Sequence, residues 1–199
     1  KGQSMKPVCF VIGAGAGIGG TVGAKFAREG YHSVLCRRTG QEGLDQLVAS
    51  IKKDGASATG VLLNAIEPDT IEDQVAAVEA DIGPIEVAVY NLGSQVGDRG
   101  LSATSYKTFE MGWRLATFGL FRLASALSPL MVGRGHGTLL VTSATAAVRG
   151  NRGQHSHAAS MGGRRMLCQT LNAELGPQGI HIAHILIDGA VDAPDTLGK

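Results

Sequence analysis

Short, unbroken apolar runs rich in β-branched residues alternate along this chain with longer stretches in which apolar positions recur every three or four residues. Val8-Cys9-Phe10-Val11-Ile12 has no polar position at all, so the pattern predicts a strand covered on both faces. The same reading predicts strands at 33–36, 59–63, 85–90, 137–142 and 180–187. Between them, helical spacing predicts helices at 22–28, 42–53 and 69–82, a long helix within 106–131, and another over 155–175. Gly30, Asp54-Gly55, Gly83-Pro84, and Pro177 with Gly179 stand where a helix must hand over to a strand. Apolar strands that each feed a helix imply an α/β fold: a doubly wound parallel sheet with helices on both faces, in three layers. No linker or repeat interrupts the alternation, so a single domain is expected over 5–199. Lys1-Gly2-Gln3-Ser4 reads as a cloning remnant ahead of Met5.

Charge and composition narrow the partners. Lys and Arg total 18 against 17 Asp and Glu, for a net charge of +1, and the signs are interspersed. A nucleic-acid partner needs a basic face, and none is visible. The apolar stretches read as too short to cross a bilayer and no leader opens the chain, so no membrane partner and a cytoplasmic location are expected. Cys9, Cys36 and Cys168 are odd in number and far apart. They read as buried small hydrophobes in a reducing compartment, without a disulfide framework or a metal site. Glycine, at 29 of 199 residues, is about twice its usual fraction, which implies many tight turns and close backbone approaches.

The glycines concentrate where they carry chemistry. Gly13-Ala14-Gly15-Ala16-Gly17-Ile18-Gly19 follows the first strand and opens the first helix of a βαβ unit. Free N–H groups and the dipole at a helix N-terminus accept the negative charge of a pyrophosphate, and only glycines let the backbone come that close. The turn therefore predicts a Rossmann-type dinucleotide site, with Gly13, Gly15, Ala16, Gly17, Ile18 and Gly19 lining it. About twenty residues on, an NAD site places a carboxylate on the ribose, whereas an NADP site places Arg near the 2′-phosphate. Arg37 and Arg38 occupy this position, and two guanidiniums can clamp a phosphate. The expected cofactor is NADP(H) ahead of NAD(H).

The Gly-x-x-x-Gly-x-Gly spacing of Gly13, Gly17 and Gly19 resembles the short-chain dehydrogenase/reductase (SDR) superfamily, with Ile12 in place of its usual Thr. The resemblance implies that Asn64 stands where the family has an Asp contacting adenine; an amide oxygen can accept the same hydrogen bond. It implies that Asn91-Leu92-Gly93 is the end of the family's Asn-Asn-Ala-Gly motif, with Asn91 and Gly93 beside the cofactor and Tyr90 replacing the first Asn. The family's chemistry uses a Tyr as acid/base, a Lys four residues later on the same helix face, a Ser and an Asn. Arg149-Gly150 upstream and Glu174-Leu175-Gly176 downstream align His157 with the Tyr and Met161 with the Lys. Ala144, flanked by Ser143 and Thr145, falls on the Ser position and Ala116 on the Asn position.

All four roles are vacant or altered. His157 alone retains acid/base capacity, with an unperturbed pKa near 6.5, and Ser143 is the hydroxyl beside the Ser position. These two are the expected catalytic residues; the other reading has His157 lining a pocket that only binds a ligand. His155 lies two residues away, facing elsewhere on the helix, and no third ligand suggests a metal. Arg164 and Arg165 are expected at the surface or a subunit interface. Asp188 and Asp192 replace the family's Pro and Thr after the sixth strand; an exposed turn is the first reading, and acid/base work or a cationic substrate the second. The resemblance also implies a homodimer or homotetramer through the helices at 106–131 and 155–175, and the family's C-terminal substrate lid is expected to be absent. Two functions follow: an atypical NADP(H)-dependent oxidoreductase acting on a small carbonyl or alcohol, or an inactive SDR-fold nucleotide-binding protein serving as sensor or regulator. A third is a structural partner that no longer binds nucleotide, against which the undisturbed glycine turn argues.

Overall fold

Strand β1 (Val8–Ile12) is buried at every position, as an unbroken apolar run requires when both faces of a parallel sheet are covered. A computed structural model describes residues 5–93, 100–189 and 191. After β1 come α1 (Ile18–Arg28), β2 (His32–Arg37), α2 (Gln41–Lys53), β3 (Ser57–Leu62), α3 (Thr70–Asp81) and β4 (Ile85–Tyr90). Then follow α4 (Tyr106–Trp113), α5 (Gly119–Arg134), β5 (Gly137–Ala144), α6 (His155–Leu175) and β6 (Ile180–Ile187). The strands form one six-stranded sheet in the order β3-β2-β1-β4-β5-β6, the doubly wound arrangement expected from the alternation. The described residues divide into two compact units, one holding the chain up to Asn91 together with the residues from Gly189 on, and one running from Leu92 to Asp188.

In the first unit, β1 pairs with β2 from Val8↔His32 to Ile12↔Cys36, and β2 with β3 from His32↔Ser57 to Arg37↔Leu62. The His32 ring closes the β2–β3 pair, with Nδ1 2.6 Å from Ser57 Oγ and Nε2 2.9 Å from Thr59 Oγ1. Helix α1 lies close on the sheet because Gly23 has no side chain: a Cβ there would come within 2.3 Å of Leu35 Cδ2. This helix starts at Ile18, four residues before the apolar periodicity does. Its first turn, Ile18-Gly19-Gly20, carries neither periodicity nor helix propensity and is helical through its contacts with the preceding turn.

In the second unit, β5 and β6 pair from Gly137↔Ile180 to Ala144↔Ile187. A π-helical turn at Arg114–Phe118 joins α4 to α5. The resulting Tyr106–Arg134 run is long and apolar enough to cross a membrane by length and composition, with a mean hydropathy of 1.5 in its richest window. That corrects the expectation that no stretch reaches such a length. Within that run Leu120, Leu123, Leu127 and Met131 are buried as a core face. Helix α6 packs closely against α4. Ser156 Oγ donates toward the Thr108 and Phe109 carbonyls at 3.3 and 3.1 Å, and a Cβ on Gly112 would lie 2.1 Å from that same oxygen.

Candidate dinucleotide and catalytic sites

The glycine turn is tied to the end of β2. The N–H groups of Gly13 and Ala14 both donate to the Cys36 carbonyl at 2.9 Å, and Gly13 has φ +96°. A Cβ on Gly19 would sit 2.1 Å from the Gly13 oxygen, and one on Gly20 2.4 Å from the Gly15 oxygen, so this helix start can approach the turn only without side chains. Gly15 differs, because the place its Cβ would take is empty. The N-cap of α1 is Gly17, no side chain caps the helix, and its first turn holds no acid. Exposed Ala16 and half-buried Gly17 and Ile18 complete a loop whose amides and dipole suit an anion.

Asn91 acts on the turn itself. Its Nδ2 donates to the Gly13 carbonyl at 2.9 Å, and its backbone N–H donates to Ile12 at the same distance. Gly93, in the second unit, is exposed with open space at its Cβ position. At the end of β3, Asn64 Nδ2 donates to Glu67 Oε1 at 3.2 Å, while Oδ1 is buried without a partner. An acceptor in that state costs about 1–3 kcal/mol until a donor reaches it.

The guanidinium of Arg37 lies over the start of α2. Its two terminal nitrogens are each 3.0 Å from where a Cβ on Gly40 or Gly43 would stand. The N-cap of α2 is Gly40, again without a side-chain cap. Among the described residues neither Arg37 nor exposed Arg38 forms an ion pair. A cation resting on the positive end of a helix dipole is favourable only when an anion joins both.

In the second unit three of the four residues expected at the family's catalytic positions, Ala116, Ala144 and Met161, come together, but as an apolar cluster. Ala116, Ala146 and Met161 are 0, 5 and 2% exposed, with Ala144, Ala147 and Ala158 packed on them. Ser143 Oγ, itself buried, turns to the Met161 thioether at 3.5 Å. His157 is half-buried one helical turn before Met161. Burial, and secondarily the charge of Arg164, hold its pKa below the ordinary 6.5, so its imidazole is neutral at pH 7.

Arg164 overturns its expected surface position. It is 1% exposed and donates from Nε to Ala116, from Nη1 to Thr142 and from Nη2 to Leu92, all main-chain carbonyls at 2.7–2.8 Å. Its burial follows from those three acceptors, which the π-helical turn, β5 and the segment after β4 present together. Arg165 is only half-buried.

Asp188 is exposed, and Asp192 lies outside the described residues. His155 lines a cavity of about 690 Å3 with Leu101, Tyr106, Phe109 and three hydroxyl residues, Ser102, Thr104 and Ser105. Sequence reading missed this cavity because its lining is scattered and aperiodic. Cys9, Cys36 and Cys168 are buried thiols, and burial pushes Cys168 up to about 11, which suppresses thiolate chemistry.

Comparison with known proteins agrees with this geometry. The family model for short chain dehydrogenases matches residues 7–195. The short-chain reductase protein NovJ of Streptomyces niveus is 31% identical over 191 residues, covering 96% of this chain and 71% of that protein. The 3-oxoacyl-(acyl-carrier-protein) reductase FabG of Thermotoga maritima is 28% identical over 189 residues, covering 95% and 76%. Among solved structures, a short-chain dehydrogenase from Rhodopseudomonas palustris has a TM-score of 0.87 at 33% identity, covering 92% of this chain and 85% of that one. A gluconate 5-dehydrogenase from Burkholderia cenocepacia, solved with NADP and tartrate, shares the fold at a TM-score of 0.83 and 24% identity, covering 92% and 71%.

Proposed function

The chain belongs to the short-chain dehydrogenase family of oxidoreductases, and from that premise we propose that it is an atypical, NADP(H)-dependent member acting on a small carbonyl or alcohol. The observation that carries the cofactor reading is Arg37 resting on the uncapped start of α2, a paired cation and dipole that suit a 2′-phosphate. Two further features support the adenosine half: the partnerless Asn64 oxygen, which suits the adenine amino group, and the open cradle at Gly15, which suits the pyrophosphate. FabG of Thermotoga maritima is named as a 3-oxoacyl-(acyl-carrier-protein) reductase, which lends weight to a carbonyl group as the point of reaction.

A bound nicotinamide dinucleotide supplies or accepts the hydride. His157 moves the proton. With its pKa depressed by burial and by Arg164, the imidazole is a base at neutral pH, suited to taking the proton of an alcohol. Carbonyl reduction needs the imidazolium and therefore rises as the pH falls towards the lowered pKa of His157. Ser143 can hold the substrate oxygen only by leaving the Met161 sulfur. The test is turnover of NADPH and NADP+ against panels of carbonyls and alcohols, with His157→Ala as control. No turnover beyond that of the variant would remove the assignment.

A second reading, a nucleotide-binding sensor or regulator, is favoured by the apolar cluster at Ala116, Ala144 and Met161; it expects saturable NADPH binding without turnover. Either form would act in the cytoplasm as a homodimer or homotetramer through the α4–α5 run and α6. Supporting that assembly are exposed Tyr106 and Phe121, the stacked Trp113–Phe118 pair with centroids 5.1 Å apart, and exposed Met166, apolar surface of the kind interfaces cover. A monomer by light scattering would argue against it.

A further inference from the structure

Helix α4 carries three exposed aromatic side chains, Tyr106, Phe109 and Trp113, with the exposed carboxylate of Glu110 among them. Spacings of three, four and seven residues put all four on one face of the helix. They border two cavities: the one of about 690 Å3 described above, and a second of about 400 Å3 lined by Tyr106, Phe109, Glu110 and Trp113. The two adjoin through Tyr106 and Phe109, lie wholly within the second unit, and have no part in the proposed hydride chemistry. What their walls offer is electron density. Thr104 Oγ1 donates its proton to the Gly100 carbonyl at 3.0 Å. Ser105 Oγ accepts from the Thr108 N–H at 3.1 Å and donates to Thr108 Oγ1 at 3.0 Å. With those protons committed, both hydroxyls meet a ligand with lone pairs. Glu110 Oε1 accepts from Arg114 Nε at 2.9 Å, in an exposed pair of the kind that holds its partners weakly. Trp113 is stacked on Phe118 with centroids 5.1 Å apart, which fixes the plane of the ring that attracts cations most strongly. An anion in this groove would meet lone pairs, aromatic faces and a like charge.

We propose that this groove binds a small primary amine in its ammonium form, with an apolar body along Tyr106 and Phe109 and the ammonium between the Glu110 carboxylate and the Trp113 ring. Further donors on the body are met by Thr104 and Ser105, and the imidazole of His155 can accept as well. The site stands apart from the cofactor reading and from His157, which faces elsewhere on α6 than His155. Tyr106 also belongs to the assembly surface proposed above, so the test uses the full chain as it assembles in solution.

Trp113 is the only tryptophan of the chain, so its fluorescence reads the groove directly. Titration with phenethylamine, phenethyl alcohol and phenylacetate compares a cation, a neutral molecule and an anion of nearly one shape. The expected result is a saturable change with the amine, at a dissociation constant at least about tenfold below that of the alcohol, and no saturation by phenylacetate. Glu110→Gln, at an exposed position, keeps the side-chain shape and removes the charge. It is expected to weaken the amine at least about fivefold and to leave the alcohol unchanged. No saturable change with the amine, equal binding of amine and alcohol, saturation by phenylacetate, or an undiminished amine affinity in Glu110→Gln would each overturn the proposal.

Discussion

The Nε–H of Arg164 donates a 2.8 Å hydrogen bond to the carbonyl of Ala116, inside the π-helical turn that separates α4 from α5. Ala116 is the residue expected from the resemblance at the family's Asn position, and Arg164 stands two helical turns after His157. The contact therefore ties the helix face bearing His157 and Met161 to the one irregular turn of the long helix. Such turns recur at functional sites; here the cation next to it serves the backbone.

Removing that cation should be costly. Arg164→Met deletes hydrogen bonds to Ala116, Thr142 and Leu92 and leaves buried acceptors behind, a loss of about 3–5 kcal/mol. Arg164→Lys, with one ammonium for three carbonyls, should recover less than half of it. Urea midpoints for the three proteins give the comparison; a loss under about 1 kcal/mol for the Met variant would mean the clamp is not structural.

Two glycines of one turn should respond in opposite ways. Gly19→Ala places a methyl 2.1 Å from the Gly13 oxygen, so the turn must open; we expect about 1–3 kcal/mol of destabilisation and loss of NADPH binding. Gly15→Ala meets no protein atom, so stability should stay within about 0.5 kcal/mol while the methyl obstructs the pyrophosphate. Thermal melts paired with NADPH titration separate the cases. Unchanged NADPH affinity in Gly15→Ala would place the pyrophosphate elsewhere.

Much of this was legible from apolar pattern alone. β1 and β4 match their apolar runs residue for residue, and the second long helix falls on His155–Leu175 as read. Of the four residues expected at the family's catalytic positions, Ala116, Ala144 and Met161 lie in one apolar cluster, which no pattern in the sequence announced. Arg164 escaped because its acceptors are main-chain carbonyls from three separate elements. No residue type announces such a partner. The first turn of α1 escaped for a related reason: glycines that fit a phosphate carry no helical signal.

Acid should destabilise the fold before the carboxylates titrate. Burial is the largest cause lowering the pKa values of His32, His157 and His184, with nearby cations adding to it. A histidine whose folded pKa lies below its unfolded value of about 6.5 binds its proton more readily when unfolded. Its contribution is therefore complete above pH 6.5 and is lost as the pH falls through the lowered folded values. Unfolding free energies by urea at pH 7.5, 6.5 and 5.5 should decline in that order. His32→Asn, which abolishes one titration and the ring contacts to Ser57 and Thr59, should be less stable at pH 7.5 and flatter in its profile. A wild-type profile level across this range would contradict the shifts.

Asn64 should trade stability against ligand. Its Oδ1 is buried without a partner, and its Nδ2 makes one long bond to exposed Glu67. Leucine has nearly the same shape and no acceptor to leave stranded. Asn64→Leu should therefore raise the stability of the ligand-free protein by about 1 kcal/mol, against the usual direction of point mutations. The same substitution removes the acceptor proposed for the adenine amino group, so NADPH should bind roughly tenfold more weakly. The two effects together make NADPH raise the melting temperature of the variant less than that of the wild type, from a higher starting point. A variant that is less stable without ligand would mean the Asn64 oxygen has a partner in solution. One that is more stable yet binds NADPH unchanged would place the adenine away from β3.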